Sequence, residues 1–323
     1  MPRVLITGAA GFIGMHTAIR FLKEGWAVVG LDNLNDYYSV ELKKSRIIEI
    51  EKAARPDSFE IITQDLNSNV WERLGAYKFD AVIHLAAQAG VRFSVENPAA
   101  YIQSNILGFQ KVIEFVDAFK IKKFLYASSS SVYGKVSKQP FIETEATSCP
   151  ESYYAATKKA NELMAHAYFK TKGVTSIGLR FFTVYGPWGR PDMAPFLFAN
   201  AALNNKPIKV FNYGKQKRDF TYVDDIVEGI YLLTDLETFP AESIVCNIGK
   251  GSPVELMDFI SIIEKHTERQ LVKELVPAQT GDVEVTYSST ELLRKLIKYE
   301  PKTSIDIGIK KFIDWYKYYY KIC

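Results

Sequence analysis

The chain has 323 residues, with 40 Lys+Arg against 37 Asp+Glu and a formal net charge of +3. At about 150 residues per domain, that length points to two domains, or one large domain with a lobe, and it suffices for a core without staples. Hydrophobic residues at 47% and charged residues at 24% exclude wholesale disorder, and the near-neutral balance without a basic block excludes a nucleic-acid binder while leaving room for a basic pocket.

Cys149, Cys246 and Cys323 show neither CxxC nor Cys/His spacing. No disulfide framework and no zinc or other metal site is expected. No apolar run approaches the roughly 20 residues of a bilayer span. The chain opens on strand-like Arg3-Val4-Leu5-Ile6 rather than a charged stretch before an apolar one. The expectation is no signal peptide, no membrane partner and a cytoplasmic location.

In chain order, residues 4–7 read as a strand, 14–24 as a helix and 27–31 as a second strand. Residues 61–63, 81–84 and 123–127 read as further buried strands, with helical stretches between them, including 101–119. Continuously apolar, β-branched strands alternating with helices predict an α/β fold: a doubly wound parallel sheet covered on both faces. A long helix is predicted over 153–172 and a strand over 176–180. Pro187, Pro191, Pro195 and Pro207 then loosen the pattern, which predicts a second, smaller, substrate-binding lobe. Residues 244–248 read as a strand returning to the first sheet, and 305–320 as a terminal helix. The expected division is 1–180, with returning segments near 221–250, and 181–323 for the interleaved lobe.

Gly8-Ala9-Ala10-Gly11-Phe12-Ile13-Gly14 lies between the first strand and the first helix. Glycines there permit a tight turn and close backbone approach to a pyrophosphate, and the helix N-terminus offers free N–H groups and a favourable dipole. Asp32 follows the second strand, 18 residues after Gly14, where an acid would grip the adenosine ribose. An acid repels a 2′-phosphate, so the expected cofactor is NAD rather than NADP.

Tyr154-Ala155-Ala156-Thr157-Lys158 sets a phenol and an ammonium four residues apart, on one helix face. A neighbouring cation favours the phenolate, which suits general base and acid work. Ser128-Ser129-Ser130-Ser131-Val132-Tyr133-Gly134 follows the strand at 123–127, and ligands bind at the carboxyl ends of parallel strands. Hydroxyls there can bond a substrate oxygen as charge develops. His84 reads as a packed core histidine, and Asp224-Asp225 as a helix N-terminal turn.

The spacing Gly-x-x-Gly-x-x-Gly, the serine cluster and Tyr-x-x-x-Lys, in this order, resemble the extended short-chain dehydrogenase/reductase family with its Rossmann-like fold. The blocks Leu34-Asn35-Asp36-Tyr37-Tyr38, Tyr185-Gly186-Pro187 and Arg218-Asp219-Phe220-Thr221-Tyr222 resemble its sugar-nucleotide epimerase branch, most of all UDP-glucuronate 4-epimerases. The resemblance implies cofactor contacts from Gly8, Gly11, Phe12, Ile13, Gly14, Asp32, Asn33, Asp65, Leu66, Leu85, Ala86, Ala87 and Asn105, together with Tyr154 and Lys158. It implies catalysis by Tyr154, Lys158 and Ser129, with Ser130 as the alternative for the serine. The reaction would interconvert UDP-glucuronate and UDP-galacturonate through a transient 4-keto sugar.

Family decarboxylases and dehydratases resemble one another in carboxylates near the Ser/Thr, where this chain has Ser130 and Ser131. Ser129, Ser130 and Thr183 are then expected around the uronate carboxylate. For the UDP end the resemblance implies Arg218 on the diphosphate, Arg190 over the nucleotide, Asp282 on the ribose, and Val210 and Phe211 near uracil. Gln279 stands where glucose-type members carry Arg. Rival readings are a UDP-glucose/galactose-type 4-epimerase, a UDP-glucuronate decarboxylase, and a non-catalytic NAD(H)-sensing regulator. The resemblance also implies a homodimer.

Overall fold

The computed structural model describes residues 1–135, 138–278 and 284–322. Strands β1 (Arg3–Thr7), β2 (Ala27–Asp32), β3 (Phe59–Thr63), β4 (Ala81–His84), β5 (Lys123–Ser129) and β6 (Ser176–Phe181) join Ser243–Ile248 in one seven-stranded sheet. Its order is Ser243–Ile248, β6, β5, β4, β1, β2, β3. The pairings of β1 through β6 are parallel. Runs such as Val4-Leu5-Ile6 and Phe124-Leu125-Tyr126 are buried throughout, as strands covered on both faces require. Chain order reverses between β1 and β4, which opens a crevice at the carboxyl ends of those strands.

Helix α1 (Phe12–Lys23) buries Phe12, Met15, Ala18, Phe21 and Leu22, a stripe at helical spacing. Helix α2 (Val40–Ala53) starts at Ser39, whose hydroxyl accepts the Leu42 N–H at 3.2 Å. A core cluster joins Leu5, Leu31, Val82, Phe109, Ile113, Phe124 and Tyr126. Truncating a buried aromatic such as Phe109 to Ala costs about 3–5 kcal/mol.

The helix Tyr153–Lys172 begins where Ser152 accepts the Ala155 N–H at 3.1 Å and ends at Gly173 in the left-handed conformation. The predicted helix over 101–119 differs in its first turns. It runs as Pro98–Tyr101, then a π-helical segment Ile102–Leu107, then Gly108–Ala118. Apolar periodicity does not reveal such a widening, which is common at functional sites.

The chain forms two compact units: residues 1–134, 145–181 and 227–246 in the first, and 135–144, 182–226 and 247–323 in the second. In the second unit, Phe220–Tyr222 pairs in parallel with Thr183–Tyr185, and Lys217–Arg218 lies between Val254–Glu255 and Val285–Thr286. The helix Ile305–Tyr320 is capped by Ser304, and buries Phe312, Ile313 and Tyr316. Among the described residues no helix is long and apolar enough to cross a membrane, and no group of three or more His, Cys, Asp and Glu could hold a metal ion.

Candidate active site

The site starts where β1 ends. The Gly8 N–H bonds the Leu31 carbonyl at 2.7 Å, and the Gly11 N–H bonds the Gly8 carbonyl at 2.9 Å, which folds the turn tightly. Gly8 has φ +72°, and a Cβ on it would stand 2.7 Å from the Ala86 nitrogen. A Cβ on Gly14 would stand 1.9 Å from the Gly8 carbonyl oxygen. Side chains are excluded by backbone at both positions. Gly11 caps α1 without a side-chain bond, so the first-turn N–H groups around Phe12, Ile13 and Gly14 face outward with the positive end of the helix dipole. A pyrophosphate fits this cradle.

Asp32 closes β2 and accepts the N–H groups of Ala10 at 3.0 Å and Leu34 at 2.9 Å. Burial pushes its carboxyl above the ordinary value, against those bonds and the nearby Lys43 and Arg46 charges. Each oxygen keeps a second lone pair for a ribose hydroxyl. Asn33 donates to Asp65 at 2.8 Å, so these two expected residues meet at the ends of β2 and β3. Leu66, next to Asp65, is a buried member of the core cluster. Leu85 and Ala86 lie against Gly8, the Leu85 N–H bonding the Thr7 carbonyl at 3.1 Å. Asn105, on the π-helical segment, bonds the Gln88 backbone at both N–H (2.8 Å) and carbonyl (3.1 Å), and donates to Thr157 at 3.0 Å.

Two cations behind the turn were not legible in the sequence. Arg46, fully buried, donates to the Ala10 carbonyl at 3.0 Å and to the Tyr38 hydroxyl at 2.7 Å. Lys43 donates to the Asn35 carbonyl at 2.6 Å, and burial lowers its pKa. The only signal was an Arg and a Lys three apart on α2, which ordinarily marks a solvated face.

Lys158 Nζ donates to the Ala127 carbonyl at 2.9 Å, at the end of β5, and burial pushes its pKa down to about 8. Tyr154, one turn earlier, is half-buried with its ring edge-on to Tyr101, centroids 6.2 Å apart. Ser129 Oγ accepts the Ser131 N–H at 3.1 Å and donates to Ser131 Oγ at 3.1 Å, capping the short turn Ser130–Tyr133. Ser128 is committed elsewhere, donating to Glu162 at 2.6 Å. His84 is buried, bonds the Thr7 hydroxyl at 2.7 Å, and is held neutral by burial and the Lys158 charge, its pKa lowered to about 3. The first unit therefore gathers the glycine turn, Asp32, Ser129, Tyr154 and Lys158 at the carboxyl ends of its strands.

In the second unit, the Thr183 N–H bonds the Asp219 carbonyl at 3.1 Å. Arg218 Nη1 donates to the carbonyls of Lys217 at 2.9 Å and Glu284 at 3.1 Å. Buried Asp219 accepts from Lys250, Gly251 and Ser288 N–H groups at 2.9–3.1 Å, which fixes this strand end. Arg190 pairs with Asp192, Val210 is fully buried and Phe211 is half-buried. Gln279 and Asp282 lie outside the described residues.

The sequence profile of the NAD dependent epimerase/dehydratase family matches residues 4–249. The chain belongs to this family. Among similar epimerase-family proteins, the probable UDP-glucuronate 4-epimerase of Rhizobium meliloti is 42% identical, over 99% of this chain and 98% of its own. Protein CapI of Staphylococcus aureus is 45% identical over 99% of each. The UDP-glucuronic acid 4-epimerase of Bacillus cereus, solved with UDP-glucuronic acid and NAD, superposes with a TM-score of 0.90 at 33% identity, covering 98% of this chain and 100% of that one. As a family member the chain is an NAD-dependent enzyme, and its glycine turn offers backbone N–H donors to the pyrophosphate while Asp32 offers acceptors to a ribose.

Proposed function

We propose that this enzyme is a 4-epimerase interconverting UDP-glucuronate and UDP-galacturonate. The observation that carries the reading is the end of β5. Ser129 to Ser131 supply hydroxyls and no carboxylate, while Lys158 is anchored to Ala127 beside them, one helical turn from Tyr154. Full-length relatives named for this activity support it.

Bound NAD supplies a reversible hydride acceptor. Tyr154 takes the proton of the sugar C4 hydroxyl and later returns it, which is general base and then general acid work. Ser129 donates to the C4 oxygen as charge develops there. Lys158, in a dry site, favours the Tyr154 phenolate. A 4-keto uronate is a β-keto acid that readily loses CO2. Neutral donors at Ser129, Ser130 and Thr183 would hold the carboxylate without a base beside it. Arg218 and Arg190 suit the diphosphate and nucleotide, since guanidinium forks match phosphate oxygens. Gln279 and Asp282 belong to the same proposal for the UDP end, with Val210 and Phe211 near the uracil.

The same reading makes the active form a homodimer built on the neighbouring helices that leave Ile102, Leu107 and Leu163 exposed. It places the enzyme in the cytoplasm, where thiols such as Cys149 and Cys246 stay reduced.

The test is purified protein with UDP-glucuronate deuterated at C4. The expected product is UDP-galacturonate with deuterium retained, no CO2 and no accumulated reduced cofactor. CO2 release, exclusive turnover of UDP-glucose, or loss of deuterium to solvent would overturn the assignment.

A further inference from the structure

Glu162 is an ionised carboxylate sealed inside the first unit, on the helix that carries Tyr154 and Lys158. Its positions are four residues beyond Lys158 and eight beyond Tyr154, so the three lie along one helical stripe. Ser128 donates to its Oε1 at 2.6 Å. Arg180 on β6 donates to both oxygens, Nε to Oε1 at 2.8 Å and Nη2 to Oε2 at 2.9 Å. Lys159 adds a bond to Oε2 at 3.1 Å. Ser128 and Arg180 are register partners on adjacent strands, so the carboxylate spans a strand pair and the helix above it. Burial alone would raise the Glu162 carboxyl, but Arg180 and Ser128 outweigh it and hold the group below its ordinary value.

The helix is thus pinned to the end of β5 at two consecutive strand residues, by Lys158 on the Ala127 carbonyl and by Glu162 on the Ser128 hydroxyl. The next residue is Ser129. We propose that the Glu162–Ser128 bond, backed by Arg180, is a positioning device that sets the separation of the Ser129 and Tyr154 side chains; the inference rests on the proposed roles of those two residues. The Glu162–Arg180 pair ties the helix to β6, and the Lys158 bond ties it to one residue of β5. The Glu162–Ser128 bond adds the second point on β5, at the residue next to Ser129. A catalytic geometry displaced by about 1 Å can lose about a hundredfold in rate, so one lost clamp should be visible in kcat.

Ser128→Ala removes the clamp while the Glu162–Arg180 pair stays intact, so the fold is preserved. Ser128→Thr keeps the hydroxyl. Glu162→Gln strips the charge facing Arg180 and serves as the more severe variant. Each is prepared as the NAD-loaded holoenzyme and assayed with UDP-glucuronate, and crystal structures of the parent and Ser128→Ala measure the Ser129–Tyr154 separation without reference to turnover. The expected result for Ser128→Ala is a fall in kcat of roughly five- to fiftyfold, below the hundredfold of a full 1 Å displacement because the Arg180 pair remains, with unchanged KM and NAD content, recovery in Ser128→Thr, and a changed Ser129–Tyr154 separation. Unchanged kcat per NAD-loaded molecule with only a lowered melting temperature overturns the proposal, as does an unchanged separation. If the parent does not turn over UDP-glucuronate at all, the activity assignment fails by itself, and the separation still decides the positioning claim.

Discussion

Asp32 accepts the backbone N–H of Ala10 at 3.0 Å, so the end of β2 grips the glycine turn from which α1 departs. One carboxylate therefore shapes the pyrophosphate cradle and offers acceptors to a ribose. Asp32→Ala should weaken NAD binding by roughly 10- to 100-fold, the equivalent of about 1.5–3 kcal/mol for hydrogen bonds to a charged group. Discrimination against NADP should also relax, because Lys43 and Arg46 remain nearby without the opposing acid. Calorimetric titration of the cofactor-stripped variant with both dinucleotides measures both effects. Equal NAD affinity in parent and variant would remove Asp32 from the cofactor site.

Gly14 and Gly173 separate steric from conformational demands on glycine. A Cβ at Gly14 meets the Gly8 carbonyl oxygen at 1.9 Å, and backbone cannot move aside without opening the turn. Gly173 has φ +74°, but nothing lies within 4 Å of the position its Cβ would take. Gly173→Ala should cost only the left-handed conformation, about 1–2 kcal/mol. Gly14→Ala should reach or exceed the upper end of the range typical of overpacking, about 1–3 kcal/mol, and should lose NAD. Urea midpoints and cofactor content of the two variants, side by side, check the order. A Gly14→Ala protein that retains NAD would show that the turn is not a close-approach site.

The strands and the glycine turn were legible in the sequence because burial on both faces enforces continuous apolar runs, and close backbone approach enforces glycine. The predicted terminal helix, 305–320, coincides with Ile305–Tyr320. Other features were hidden for physical reasons. Asn105 reaches Gln88 and Thr157 from a π-helical segment that no hydrophobic period reports. Arg46 and Glu162 look in sequence like ordinary charged helix positions, yet both are buried by partners far away along the chain, Ala10 and Arg180. Long-range pairing of charges leaves no local pattern. Only the resemblance, not the local pattern, separated Ser129, with Ser130 as the alternative, from its neighbours; the structure commits Ser128 to Glu162 and has Ser129 at the strand end.

His84 should make folding sensitive to acid. Its folded pKa, lowered to about 3 by burial and by Lys158, lies below the ordinary 6.5. The unfolded chain therefore binds the additional proton between those values, and stability falls as pH drops through that window. Above about pH 6.5 this contribution is fully present. Between pH 6.5 and 4.5 the loss should approach roughly 2–3 kcal/mol, from 1.36 kcal/mol for each pH unit. His84→Gln keeps a polar group near Thr7 and cannot titrate. Urea unfolding of both proteins across this range should show their stabilities converging as pH falls. Parallel curves would mean that His84 takes up its proton without unfolding.

Leu163, 60% exposed, lies on the helix Tyr153–Lys172, and Ile102 and Leu107 are 37% and 44% exposed on the helix segment bonded to it through Asn161 and Asn105. Apolar side chains grouped on packed helices favour burial against a partner. In a two-fold dimer each patch meets its own copy, so one substitution changes both sides of the interface. Leu163→Glu would set two carboxylates in or beside the same apolar contact, where unpaired charge is strongly disfavoured. Light scattering should report twice the chain mass for the parent and a shift toward the single-chain mass for Leu163→Glu at micromolar concentration. Tyr318, 86% exposed in the second unit, supplies the control. A parent that is already monomeric defeats the homodimer proposal. Dissociation by Tyr318→Glu but not by Leu163→Glu would move the interface to the terminal helix, because surface charge in general would then not be the cause.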